Sequence, residues 1–247
     1  MTLLITQRLD RAAPFEAPLA AAGFSVVGHP FIDVQPIPFK RPPAPQQPEQ
    51  TWLLFTSRHG VTGFFHAMAP SVFQSWQPCP TAVIGETTAG ALRAVGLTPN
   101  LVSPIAQAQH LVDTLLNASI PSQNPHIHTI IWPTGQLSEA PWEKDCQSHG
   151  IAVNRLQVYH TNLVSCVPPG LVQPYEAVAI TSGSSAAGLA QSAIAQQPDF
   201  DKTPLISLGP RTSAAIETHL NRQPDAEAAA HSLVGLAEAT LNVLMAD

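Results

Sequence analysis

An α/β fold with largely parallel sheets is predicted by two features of the sequence. Short apolar strands alternate with helical stretches from end to end. Three segments also recur in order at an offset of about 125 residues. LLFTSRHGVTGF from Leu53 matches VAITSGSSAAGL from Val178, and GETTAGAL from Gly85 matches GPRTSAAI from Gly209. LAAAGFSVVGHPF from Leu19 matches CQSHGIAVNRLQV from Cys146. One such match is within reach of chance; three in order imply two halves of common design.

The elements follow from local pattern. Leu3 to Thr6 reads as a strand, and a helix from Pro14 to Ala22 stops at Gly23, a natural C-cap. Phe24 to Val27 is a strand, and the chain stays extended through His29 to Val34. Pro36 to Pro48 holds six prolines and is a loop or linker. Trp52 to Phe55 is a strand, followed by a helix from Val61 to Ala67. Ala82 to Ile84 is a buried strand that Gly85 breaks, with a helix following at the spacing of Ala89, Ala91, Leu92 and Val95. Ala106 to Leu116 is helical and Ser119 to His126 a polar loop. Thr129 to Trp132 is a strand, Pro133 to Gly135 a turn, and a helix then runs to Ser148. Ile151 to Val153 and Leu156 to Thr161 are extended, and Val167 to Pro174 is a loop. Ala177 to Thr181 is a strand, followed by a helix, a strand at Leu205 and a second threonine-bearing turn. Pro224 to His231 is a surface segment before a helix from Ser232 to Met245.

Composition narrows the function. With 247 residues, 45% of them hydrophobic, the chain can bury one large core or two smaller ones. Seventeen acidic residues against eleven basic ones give a net charge of −6, which disfavours nucleic acid. An anionic small molecule remains open, held by backbone N–H groups and hydroxyls. Cys79, Cys146 and Cys166 are widely spaced and form no metal or redox motif. No apolar run approaches the ~20 residues of a membrane span. No signal-peptide pattern opens the chain, so a cytoplasmic protein is expected.

Parallel sheets bind ligands beyond the carboxyl ends of their strands. Arg8, Ser57, Thr87, Thr88, Ser182, Arg211 and Thr212 stand at such ends. Taken singly, each serine or threonine is more simply a helix cap. Taken together they mark equivalent edges of both halves, where helix starts suit a carboxylate or phosphate. If those edges face each other they line one cleft. No metal-binding histidine pair, nucleophile elbow, Walker loop or dinucleotide fingerprint occurs, and His126 and His128 are expected to be solvent-exposed. Tyr159 is one of two tyrosines; a packed ring and a functional phenol are equally open for it.

The ordered segments LLITQR, FTSRHGV, VIGETTAGAL, GIAVNRLQVYHT, AITSGSSA and LGPRTSAAI resemble the uroporphyrinogen-III synthase family over nearly the whole chain. The resemblance implies two flavodoxin-like α/β domains joined by a two-stranded connector. The first comprises residues 1–35 and 162–247, the second 36–161. It implies cyclisation of hydroxymethylbilane, a linear tetrapyrrole with eight carboxylates, to uroporphyrinogen III. Water is lost and the last pyrrole inverted through a spiro intermediate, with no metal and no organic cofactor. By motif, Ser57, Thr88, Tyr159, Ser182 and Thr212 fall on substrate-contacting positions, with Tyr159 assisting loss of the hydroxyl. Arg8, Arg58, His59, Thr87 and Arg211 complete the expected substrate-binding set. His59 stands where some relatives place a basic residue, a role the adjacent Arg58 can take, and Arg211 where threonine is frequent. A cytoplasmic monomer in transient contact with the upstream bilane synthase is expected, with no nucleic-acid or membrane partner. A non-catalytic two-lobed binding protein and an inactive relative are the alternatives.

Overall fold

The computed structural model describes residues 1–66, 68–105, 107–117, 127–136 and 140–246. The chain opens with β1 (Thr2–Ile5), α1 (Ala13–Ala21), β2 (Ser25–Gly28) and β3 (Ile32–Pro36). The middle holds β4 (Thr51–Phe55), α2 (Arg58–Phe65), α3 (Pro70–Trp76), β5 (Thr81–Ile84), α4 (Gly85–Ala94), β6 (Leu101–Ser103) and α5 (Ala108–Asn117). It continues through β7 (Thr129–Gly135), α6 (Glu143–Ser148) and β8 (Ala152–Leu163). Then come β9 (Ala177–Ile180), α7 (Gly183–Ala190), β10 (Leu205–Ser207), α8 (Pro210–Leu220), β11 (Ala226–Glu227) and α9 (Leu233–Leu244). The loop expected over Ser119 to His126, and with it His126, lies outside the described residues.

The chain divides into two compact units, Met1–Asp33 with Asn162–Asp247, and Val34–Thr161. In the first, the strand order is β11-β10-β9-β1-β2, with parallel pairing. In the second it is β3-β8-β7-β4-β5-β6, parallel from β8 to β6. Position by position, β2-β1-β9-β10-β11 matches β8-β7-β4-β5-β6. The first is the flavodoxin-like order with its reversal between β1 and β9, and the second reverses between β7 and β4. The repeat in the sequence is therefore a repeat in space, with the connections permuted.

Each sheet is apolar on both faces because both are covered. In the first unit, Leu3, Ile5, Ala177 and Ile206 pack on Phe15 of α1 and Leu236 of α9. Leu4, Val178, Ile180 and Leu205 point the other way, onto Leu189 of α7 and Ile216 of α8. In the second unit, Leu53, Phe55, Val83 and Ile131 meet Phe64 and Trp76. Trp52, Leu54, Ala82 and Ile130 meet Leu111, Val112 and Cys146.

The Ile37 amide donates to the Val158 carbonyl at 3.0 Å and the Val164 amide to that of Phe31 at 2.9 Å. These bonds bracket β3 and β8 and run them antiparallel. Both crossings of the chain between units, at 33/34 and 161/162, lie in this strand pair. The same two carbonyls seat glycines at equivalent places in the repeat. A Cβ on Gly63 of α2 would lie 2.6 Å from the Val158 oxygen, and one on Gly188 of α7 would collide with the Phe31 oxygen.

One expectation needs correction. Pro133 to Gly135 is not a turn but the end of β7, paired with β8 as far as Gly135 and Tyr159. Pairing with β4 stops at Ile131, so the missing N–H of Pro133 interrupts no bond to that neighbour. The surface segment Pro224 to His231 contains β11, which extends the first sheet beside β10. Among the described residues no helix is long and apolar enough to cross a membrane.

His29 follows β2. Its ring meets that of Phe31 edge-on at 4.9 Å and hydrogen-bonds the Cys166 backbone, while Nε2 is buried with no partner among the described residues. Burial holds its pKa below the ordinary 6.5, against the smaller raising effect of the Cys166 bond. The unfolded chain therefore takes up this proton at higher pH than the folded one. The stability contribution is full above the ordinary imidazole value and is lost as pH falls through the lowered folded value. Denaturant titrations below neutral pH are expected to show this loss, and His29→Gln to flatten it.

Candidate active site

In the second unit the carboxyl ends of β4 and β7 converge on Tyr159 of β8. Ser57 is the N-cap of α2, its Oγ accepting the Gly60 amide at 3.1 Å. The same Oγ lies 3.2 Å from the Tyr159 hydroxyl. Tyr159 is half-buried over Gly135, where a Cβ would lie 2.6 Å from ring Cε2 and 3.1 Å from the hydroxyl oxygen. Only glycine at 135 lets the ring lie there, and an irregular register at Thr134 and Gly135 brings the two opposite each other. The His59 ring stands 5.7 Å from that of Tyr159. Arg58 Nε donates to His59 Nε2 at 3.3 Å, which leaves the proton of a neutral imidazole on Nδ1. Ser57, Arg58, His59 and Tyr159 thus form one cluster at the point where the strand order reverses.

Beyond β5, α4 begins directly at Gly85, whose φ of 65° is the left-handed conformation glycine favours. Thr87 and Thr88 therefore lie inside the first turn instead of preceding it. Neither caps the helix, whose N-cap is Ile84 with no side-chain bond. Thr87 is exposed and Thr88 buried. Glu86 of the same turn is paired with Arg93.

In the first unit the reversal between β1 and β9 is tied by threonines, the Thr181 amide donating to Thr6 Oγ1 at 3.0 Å. Ser182 repeats the geometry of Ser57. It caps α7 by accepting the Ser185 amide at 3.1 Å, and its Oγ lies 2.8 Å from that of Ser185. Arg8, beyond the end of β1, is paired with Asp10 at 3.0 Å on the exposed surface. Their mutual hydrogen bond holds Arg8 above and Asp10 below its ordinary pKa. After β10 comes the α8 turn, with Gly209 as N-cap, Arg211 exposed and Thr212 buried. No side chain caps α8. Capping thus accounts for Ser57 and Ser182, and leaves Thr87, Thr88 and Thr212 unexplained by it.

Burial pushes the thiols of Cys79 and Cys146 up to about 12 and about 11, so neither offers a thiolate near neutral pH. A cavity of about 520 Å³ lined by Pro42, Pro45, Gln50, Thr51, Trp76 and His128 lies at the opposite, amino ends of β4 and β7. It is remote from the edge where parallel sheets hold ligands, and we place no chemistry there.

Residues 13–238 match the family model described as uroporphyrinogen-III synthase HemD. The chain belongs to the uroporphyrinogen-III synthase family. It is 26% identical over 257 residues to the uroporphyrinogen-III synthase of Synechococcus elongatus, covering 95% of this chain and 92% of that one. To the uroporphyrinogen-III synthase of Chlorobaculum parvum it is 25% identical over 230 residues, covering 87% and 88%. Its fold is similar to that of uroporphyrinogen-III synthetase from Helicobacter pylori, with a TM-score of 0.67, 16% identity and coverage of 98% and 99%. A mutant uroporphyrinogen III synthase from the extreme thermophile Thermus thermophilus gives a TM-score of 0.58 at 16% identity, with both chains fully covered. The α/β synthase fold expected from the sequence is the fold observed.

Sequence reasoning missed Gly135, because its place beneath Tyr159 depends on strand register. It also missed His231, which follows β11 and packs on Gly209.

Proposed function

We propose that this protein is a uroporphyrinogen-III synthase of tetrapyrrole biosynthesis. It closes hydroxymethylbilane to uroporphyrinogen III with loss of water and inversion of the last pyrrole. The family match over residues 13–238 carries this reading, because it spans the turns that follow β4, β5, β9 and β10.

The residues suit the chemistry. Pyrroles are electron-rich, so the protein's task is to hold the reacting ends and assist departure of the hydroxyl, which is catalysis by proximity and by a positioned proton donor. Ser57 Oγ already accepts the Gly60 amide. When it gives its own proton to the Tyr159 oxygen, the phenolic proton is directed to the substrate hydroxyl. Arg58 and His59 beside it, with Thr87 and Thr88, serve substrate carboxylates in this unit. Arg8, Ser182, Arg211 and Thr212 do so in the other. Helix-start N–H groups and single arginines let a chain of net charge −6 bind a polyanion locally. A cytoplasmic monomer that takes bilane from the enzyme making it fits this role.

A coupled assay with a bilane-producing enzyme tests the reading. The type III isomer is expected; accumulation of the non-inverted type I isomer alone would overturn it. Thr88→Val and Thr212→Val test the turns. Among the described residues neither hydroxyl has a hydrogen-bond partner, so a methyl in its place should leave the melting temperature unchanged or slightly raised. The KM for bilane should rise about threefold to tenfold, the loss of about one hydrogen bond. A lower melting temperature with unchanged KM would make both residues structural.

A further inference from the structure

Gly209 poses a question that its backbone does not answer. Its φ of 167° is extended and open to any residue. What a side chain there would meet is the imidazole of His231: a Cβ would lie 3.0 Å from Cδ2 and 3.3 Å from Cγ and Nε2. The ring thus rests on the N-cap of α8. It comes from the segment after β11, and Ser232, the next residue, caps α9 through the Gly235 amide at 3.1 Å. β11 and α9 therefore fix the backbone on either side of His231, while its side chain is exposed and has no hydrogen-bond partner among the described residues.

The surroundings favour an anion. Arg211, in the first turn of the same helix, is exposed and makes no ion pair among the described residues. Thr212, in that turn, is 6% exposed and its hydroxyl bonds nothing among the described residues. The acidic group of the neighbouring strand, Glu227, is engaged by the Ser213 hydroxyl, which also lies 2.6 Å from that of Ser207. The equivalent turn of the other unit differs in charge. Thr87 occupies the place that Arg211 has in the repeat, and the neighbouring Glu86 is paired with Arg93.

We propose that His231 is a further substrate-binding residue, its imidazole seated on Gly209 to hold one substrate carboxylate together with Arg211 and the Thr212 hydroxyl. This rests on the synthase reading and assigns the α8 turn as the cationic carboxylate subsite of the first unit. An imidazole N–H donates to carboxylate whether the ring is neutral or charged, and Arg211 supplies permanent charge.

The test uses the full chain with two readouts, turnover of bilane and binding of uroporphyrin III, the stable octacarboxylate product skeleton. His231→Phe keeps a ring against Gly209 and removes both nitrogens. Its Kd for uroporphyrin III and its KM for bilane should rise about tenfold, the loss of one charge-assisted hydrogen bond. The kcat should stay within about twofold and the melting temperature should not move. Gly209→Ala should displace the ring and give a similar loss. The double variant should then lose little beyond either single one, since both remove the same contact. Unchanged porphyrin affinity in His231→Phe overturns the inference, as does a fully additive double variant. If the wild type makes no type III isomer yet His231→Phe weakens porphyrin binding, the carboxylate subsite stands and the catalytic reading falls.

Discussion

Tyr159→Phe is expected to lower turnover of bilane by about 10-fold to 100-fold, the lower part of the range for a positioned proton donor. Folding should survive, because the ring keeps its place over Gly135 and only the hydroxyl that meets Ser57 at 3.2 Å is lost. Ser57 retains its capping bond to Gly60 in the variant, so α2 should start normally. The fall should appear in kcat more than in KM, since the donor acts on a hydroxyl that departs only in the reaction. Gly135→Ala should reproduce much of this loss while leaving the phenol intact, because the added methyl takes the space of the ring edge. Steady-state kinetics on both variants, with circular dichroism as the check on folding, decides the matter. Full activity in Tyr159→Phe would remove the phenol from the chemistry and leave positioning as the main effect.

Gly188→Ala is expected to cost stability, and Gly63→Ala to do so more mildly. In each case the added methyl meets a backbone carbonyl that already accepts the amide bond bracketing β3 and β8. A carbonyl so held cannot swing away as a flexible side chain could. Overpacking of this kind costs about 1–3 kcal/mol. For a chain of this length that is a fall of about 2 to 12 °C in melting temperature. Gly90→Ala supplies the contrast. Gly90 lies in α4 with nothing near the place a Cβ would take, so alanine should be neutral or stabilising by up to about 1 kcal/mol. Equal melting temperatures for Gly188→Ala and wild type would show that α7 can shift off Phe31 at no cost.

Much of the architecture was legible because each half states it separately. The Thr-Ser end of β4 and that of β9 read alike, and both serines prove to cap the following helix with the same geometry. The prolines from Pro36 to Pro48 marked a loop because proline removes both a donor and a free φ. What stayed hidden depends on neighbours. Pro133 argued for a turn, and only the end of β4 pairing at Ile131 shows why a strand tolerates it. β11 is two residues long and carries no periodicity to detect. Thr87 and Thr88 stand at the start of a helix as the sequence reads, but no sequence rule separates a first-turn threonine from a cap, and with Gly85 opening α4 neither is one. The Ser57–Tyr159 contact joins positions 102 residues apart, and the seat of His231 on Gly209 likewise exists only once the sheet has formed.

The permuted connections also set a timetable for synthesis. Leu3 of β1 pairs with Ala177 of β9, so one side of that strand has no partner until the ribosome has passed the whole of the second unit. Every strand from β4 to β8 is by then already made. The inserted unit can close while the unit that brackets it is still half a sheet, and the hydrogen-bonding edge of β1 that β9 will fill stays unpaired throughout that wait.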